Sequence, residues 1–226
     1  MKSDKQPVNI GIALKKALKW FFNSFIWVGL VFLAIDIVTK LVFYKLLFNP
    51  VTETSEYYQI IPGFLRISVT LNPNAAFGLG FDDPVLSRVM FIIVYLIGLA
   101  IITGIYVVKH NKLPKLVKIC LVMLAAGALG NLIDRLFYGF TDYQVIDWID
   151  FHGVWKFIFN IADTCVVVGT IILIVWLIVD EVKDIKAKKA LETKGSKVLS
   201  EDEKARIEKV VPEEDIDEDA TDERMD

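Results

Sequence analysis

Four stretches of this chain are each apolar for about 20 residues, the length a helix needs to cross a hydrocarbon core of about 30 Å. They run from about Trp20 to Phe48, from Arg88 to Val108, from Leu116 to Phe137 and from Phe157 to Val179. Backbone polar groups in lipid must find partners within their own segment, so each stretch has to be a helix. A cleaved leader does not explain the first one: its apolar run is too long, and no A-x-A site follows it. Composition agrees with four spans, since 54% of residues are hydrophobic and the mean hydropathy is +0.49. Charge is segregated as well. Up to Val179 there are 15 Lys and Arg against 11 Asp and Glu, a net of +4; beyond it there are 10 against 17, a net of −7, and together they give the chain's −3. An apolar body with an acidic tail excludes an ordinary water-soluble domain and a disulfide-rich secreted scaffold.

The two cysteines, Cys120 and Cys165, lie in apolar runs and read as small core residues. No Cys-x-x-Cys or Cys/His metal spacing occurs. Basic residues flank the spans instead of forming a stripe, so no nucleic-acid partner is expected.

Lysines in short loops set the orientation. The N-terminal arm carries Lys2, Lys5, Lys15, Lys16 and Lys19. The loop between spans two and three carries Lys109, Lys112, Lys115 and Lys118, and Lys183, Lys186, Lys188 and Lys189 follow span four. The other two loops hold only Arg66 and Lys156. Both termini are therefore expected in the cytoplasm, with the loops Asn49–Ser87 and Tyr138–Lys156 outside. In the first of these, Arg66-Ile-Ser-Val-Thr-Leu71 alternates polar and apolar after a Pro62-Gly63 turn signal, the pattern of a half-buried strand. The expected fold is an all-α membrane protein: four transmembrane helices, with a small extracytoplasmic β-sheet between the first and second. Residues 1–19 form a basic cytoplasmic arm, 20–180 the four-span domain, and 181–226 a charged, acidic tail whose composition points to disorder. No internal repeat is visible, which weighs against an inverted-repeat transporter.

Ionisable residues at membrane depth are costly and mark function by default. Asp36 and Lys40, four residues apart on one helix face, can pair, either structurally or in a site. In span three, Ala125-Ala126-Gly127-Ala128-Leu129-Gly130-Asn131 offers small residues for close helix approach. Asn131 and Arg135 share a face, with Asp134 beside them, as a structural network or a catalytic one. Arg135 also has the reach to snorkel toward headgroups.

The sharper signal is acidic. Asp147 and Asp150 precede span four, and Asp163 sits a turn or two inside it, with Asn160 on the same face. Either outer acid, folded over Asp163, would make a pair that shares a proton. One carboxylate would then act as general base on water while its protonated partner polarises a carbonyl. The alternative is unrelated surface acids. A metal site of Asp147, Asp150, His152 and Asp163 lacks a recognised spacing, and no Gly-x-Ser-x-Gly elbow is present.

Four stretches, in this order, resemble the lipoprotein signal peptidases (signal peptidase II) of bacteria. They are Asp36-Ile-Val-Thr-Lys40, Asn72-Pro-Asn-Ala-Ala-Phe-Gly78, Gly127-Ala-Leu-Gly-Asn-Leu-Ile-Asp-Arg135, and Val145-Ile-Asp147 with Phe159-Asn-Ile-Ala-Asp163. The likeness covers roughly residues 20–180. It implies a cofactor-free aspartyl endopeptidase of the bacterial plasma (inner) membrane, with its active site near the outer face. Such an enzyme removes the signal peptide from prolipoproteins whose cysteine carries a diacylglyceryl group. The implied catalytic pair is Asp147 and Asp163, the Val-Ile-Asp context favouring Asp147 over Asp150. Asp36, Lys40, Asn72, Gly127, Asn131, Arg135, Asn160 and Ala162 match the family's other motif positions, supporting the site or contacting substrate. Implied partners are lipid-modified prolipoproteins, membrane lipid and globomycin-type inhibitors; a monomer is expected, and no metal. Asn74 stands where the family commonly has Gly, and Asn tolerates left-handed backbone better than most residues. The competing readings are a small ion- or proton-coupled transporter using Asp36/Lys40 and Asp134/Arg135, and a four-span scaffold whose tail recruits a partner.

Overall fold

The computed structural model describes residues 10–74, 80–81 and 83–210. Up to Trp176 the chain forms one compact unit, and from Leu177 a second. Five α-helices occur among the described residues: α1 (Ile10–Ser24), α2 (Ile26–Leu47), α3 (Pro84–Lys109), α4 (Lys115–Phe137) and α5 (Ile161–Val210). Four segments are long and apolar enough to cross a membrane, namely α2, α3, α4 and residues Ile161–Thr193 of α5.

The first span is shorter than the apolar run suggested. Residues 20–24 belong to α1, and Phe25 breaks the chain with a left-handed backbone, φ 59°. Ser24 stabilises the break: its hydroxyl donates to the Phe21 carbonyl at 2.6 Å and accepts from the Ile26 amide at 3.3 Å. Helix α3 starts three residues before Ser87. Pro84 fits its first turn, and Asp83 accepts from the Val85 and Leu86 amides at 2.8 and 3.3 Å.

Helix α4 is the centre of the bundle. More than half of its most apolar window (56%) is buried, against 17%, 11% and 17% for the other spans, so it is the helix the others pack around. It contacts α2 and α3 directly. Against α5 it uses glycine: a Cβ on Gly127 would run into the Ala162 carbonyl oxygen and Val166, and one on Gly130 into Asp36 and Ala162. The small-residue stretch thus allows backbone-to-backbone approach.

Two sheets lie at one end of the bundle. Strand β1 (Phe48–Asn49) pairs with β2 (Thr54–Ser55), and β3 (Tyr57–Ile61), β4 (Leu65–Asn72), β5 (Val145–Asp150) and β6 (Ile158–Phe159) form an antiparallel sheet in that order. Two of its strands come from the loop after α4, so the sheet joins both loops and is not confined to the first. Because Ile158 and Phe159 pair with β5, span four starts as helix at Ile161, not Phe157.

Beyond the spans, helix continues to Val210, where composition suggested disorder from residue 181. The stretch from Glu181 to Val210 is rich in Ala, Glu, Lys and Leu, strong helix formers, and spaces opposite charges four apart, as in Lys188 and Glu192. The last part of the acidic tail, 211–226, and the first nine residues of the basic arm lie outside the described residues.

Candidate active site

The site is assembled by strand register and one helix cap. Strand β4 pairs with β5 so that Asn72 opposes Val145 and Thr70 opposes Asp147. This brings the Asn72 side-chain amide to Asp147 Oδ2 at 2.9 Å. Next, Asn160 caps α5. Its Oδ1 accepts from the Asp163 amide at 2.9 Å, and Asp163 Oδ2 accepts from the Asn160 amide at 3.3 Å, a reciprocal capping box. Asp163 is therefore the third residue of the helix, nearer its start than the spacing suggested. The same Asn160 side chain donates to Asp147 Oδ1 at 2.6 Å and lies 3.1 Å from Asn131 Oδ1. Asn131 in turn donates to Asp163 Oδ1 at 2.7 Å. Two carboxylates are thus joined through two asparagines.

Beneath them lies a buried cation. Lys40, with no exposed surface, sits 2.8 Å from Asp36 Oδ2, 3.0 Å from Asp134 Oδ2 and 2.9 Å from Asn131 Oδ1. Both acids also accept backbone donors. Asp36 Oδ1 takes the Ala162 amide at 2.8 Å, and Asp134 Oδ2 takes the Ile146 amide at 3.2 Å. Buried charge is tolerated only when paired and hydrogen-bonded, and here each partner holds a residue adjacent to Asp147 or Asp163. In the sequence Asp134 reads together with Arg135, in a polar network or a transporter pathway, and nothing there pairs it with Lys40.

Arg135 does not snorkel. It is almost fully buried, donating to the carbonyls of Pro73 at 3.1 Å and Asn74 at 2.5 Å, with its guanidinium over the Phe91 ring. It fastens the chain leaving β4, where the Asn72 Oδ1 also accepts from the Asn74 amide at 2.9 Å. The remainder of that motif, Ala75-Ala76-Phe77-Gly78, lies outside the described residues.

Asp147 and Asp163 both line a cavity of about 660 Å³, whose walls are largely apolar, with Phe64, Phe151, Trp155 and Val168 among them. Burial, and then the negative charge of Asp163, push the Asp147 carboxyl well above the usual carboxylate range. Asp150 is occupied elsewhere: it pairs with Arg66 across the β4–β5 ladder. His152 is exposed, and among the described residues no three His, Cys, Asp or Glu side chains are grouped to hold a metal. Tyr95 of α3 was not picked out by sequence, yet it lines the cavity with its phenol beside Arg135 and Asn131. Its only signal was a hydroxyl in the middle of an apolar span.

Residues 28–179 match the profile of the family described as "Signal peptidase (SPase) II". The chain belongs to the signal peptidase II family. The matched segment encloses every site residue from Asp36 to Asp163. Among similar proteins, the lipoprotein signal peptidase of Clostridioides difficile (strain 630) is 38% identical over 124 residues, covering 55% of this chain and 77% of that one. The lipoprotein signal peptidase of Desulfitobacterium hafniense (strain DSM 10664 / DCB-2) is 34% identical over 174 residues, 76% of this chain and 99% of that one. A solved bacterial membrane enzyme, determined by the in meso method at 2.3 Å resolution, superposes with a TM-score of 0.57 at 28% identity, covering 69% of this chain and 88% of the other. As a signal peptidase II family member with four spanning helices, the chain is a multi-pass membrane peptidase.

Proposed function

We propose that this signal peptidase II family member is an aspartic-type endopeptidase that removes the signal peptide from diacylglyceryl-modified bacterial prolipoproteins. It cuts on the N-terminal side of the lipidated cysteine. The observation that carries this reading is that Asp147 and Asp163 face one apolar-walled cavity and are joined to each other through Asn160 and Asn131.

Two desolvated carboxyls so placed share one proton, because ionising both is costly. The ionised carboxylate takes a proton from a water molecule as its oxygen attacks the scissile carbonyl carbon. The protonated partner donates to the carbonyl oxygen, giving a neutral tetrahedral gem-diol. One carboxyl then gives its proton to the peptide nitrogen while a gem-diol hydroxyl passes its proton to the other carboxylate; the C–N bond breaks, releasing the amine and the new carboxyl terminus and leaving one shared proton on the pair. Asn72, Asn160 and Asn131 aim the carboxylate oxygens while this happens.

The apolar walls suit the substrate. Each CH₂ buried in lipid is worth about 0.8 kcal/mol, so an acylated peptide stays in the bilayer and must be cut there. The lysine distribution supports both termini in the cytoplasm and the site near the outer face of the plasma membrane.

Mass analysis of products from a diacylglyceryl-modified prolipoprotein tests this reading. A single product beginning at the lipidated cysteine, with the unlipidated precursor uncut and EDTA without effect, is expected. Equal cleavage of both precursors, or no cleavage under conditions where a known peptidase works, would contradict it.

A further inference from the structure

A second groove lies at the opposite end of the bundle from the sheet, between α2, α3 and α4. It encloses about 270 Å³ and shares no residue with the cavity containing Asp147 and Asp163. Its walls are apolar, with Leu30, Leu33, Ile102, Val122 and Leu129 among them, and Gly29 lets α2 approach Val122 closely on its floor. Trp20 and Tyr106 line it and both pack against His110, Trp20 tilted with ring centroids 6.0 Å apart and Tyr106 edge-on at 5.1 Å. The Tyr106 hydroxyl donates to the Ser24 carbonyl, which fixes the α1–α2 corner beside this end of α3.

Three independent features say what would fill it. The first is charge. Helix α1 carries Lys15, Lys16 and Lys19, and the turn between α3 and α4 is flanked by Lys109, Lys112, Lys115 and Lys118. No acidic residue occurs between Asp4 and Asp36 or between Asp83 and Asp134. Second, α1 is amphipathic, exposing Ile10, Leu14, Leu18 and Phe22 along with its lysines, as a helix lying in a membrane interface does. Third, His110 Nδ1 is buried and has no hydrogen-bond partner among the described residues. A buried polar atom without a partner costs stability, and the lysines nearby favour an anion at this end of the bundle.

We propose that this groove binds one anionic phospholipid. Its acyl chain lies between α2, α3 and α4, and its phosphate sits beside His110 in the field of the lysines on α1 and the α3–α4 turn. The groove supplies the apolar contact that a free phosphate would not use, and the lysines supply what a neutral lipid would not need. Bound there, a lipid would hold α1 against the bundle at the membrane surface.

Native mass spectrometry of the full chain, released from detergent after incubation with equal amounts of phosphatidylglycerol and phosphatidylcholine of matched acyl chains, tests the site. Each lysine near an anionic headgroup favours it roughly five-fold, so one retained phosphatidylglycerol with a preference of about ten-fold or more is expected. Thr103 lines the groove, and Thr103→Trp should abolish retention by filling it. His110→Ala should cut the preference several-fold while leaving some retention. Equal retention of the two lipids by wild type would overturn the proposal. So would phosphatidylglycerol retention at wild-type level in whichever of the two variants keeps the wild-type melting temperature.

Discussion

Asn160 donates to the Asp147 carboxylate at 2.6 Å from the cap position of the helix that carries Asp163. One side chain thus sets the start of α5 and the aim of its partner acid. The two jobs are separable. Asn160→Ala should lower kcat by roughly ten- to a hundredfold, as loss of orienting partners commonly does, and cost about 1 kcal/mol of stability from the lost cap. Asn160→Ser keeps a capping oxygen but not the amide donor, so it should recover the melting temperature and not the rate. Recovery of both would show that the amide does not position Asp147.

Asp147 gives the stability curve a definite slope. Its folded carboxyl is raised by burial and by the charge of Asp163, so the native state binds that proton more tightly than the unfolded chain. Its favourable contribution is complete below the unfolded value and is lost as pH rises through the folded one. The melting temperature of Asp147→Asn relative to wild type should therefore climb as pH increases above the ordinary carboxylate range. In activity, the pair should give a bell-shaped kcat/KM profile whose limbs belong to both acids together. A difference in melting temperature that does not change with pH would contradict the assigned environment.

The cation below the pair should be structural in its first effect. Lys40→Met leaves Asp36 and Asp134 buried without their counter-charge, a change that commonly costs about 3–5 kcal/mol. Adding Asp36→Asn and Asp134→Asn removes the stranded charges while keeping acceptors for the Ala162 and Ile146 amides. The triple variant should melt above Lys40→Met in detergent. If it melts lower, the three charges do not act as one unit.

Much of this was legible in the chain. Apolar run length gave the spans, and four-residue spacing put Asp36 and Lys40 on one face. The break at Phe25 was hidden because neither Gly nor Pro marks it; a serine hydroxyl does the work. Strand β5 was read as loop because Val145, Ile146 and Asp147 are all buried, so burial on both faces erases the period that made β4 readable. Its pairing with β4, a contact between residues some 75 positions apart such as Asn72 and Asp147, has no local signature. Arg135 could be read into a polar network or as a cation snorkelling to headgroups, and spacing could not decide because its acceptors, the Pro73 and Asn74 carbonyls, lie on a different loop.

Close approach of α4 to α5 should make one glycine intolerant. Gly127→Ala drives a methyl into the Ala162 carbonyl oxygen, next to Asp163, and toward Val166 Cγ2 at 2.7 Å. Overpacking of this kind costs about 1–3 kcal/mol, and the shift should also lower kcat. Gly98→Ala, inside α3 where nothing lies within 4 Å, is the matched control and should leave kcat unchanged and stability equal or up to about 1 kcal/mol higher. Equal tolerance at the two positions would mean that α4 and α5 do not rely on this contact.

In the proposed mechanism Asp147 and Asp163 are the reacting pair. Its most direct test is cleavage of a diacylglyceryl-modified prolipoprotein by purified wild type, Asp147→Asn, Asp163→Asn and Asp150→Asn, each checked for folding by its melting temperature. Losses of at least about a hundredfold are expected at Asp147 and Asp163, the lower bound typical of a lost general acid or base, with near-normal turnover at Asp150, which faces Arg66 instead. Near-normal turnover in either Asp147→Asn or Asp163→Asn, or a loss confined to Asp150→Asn, would contradict it.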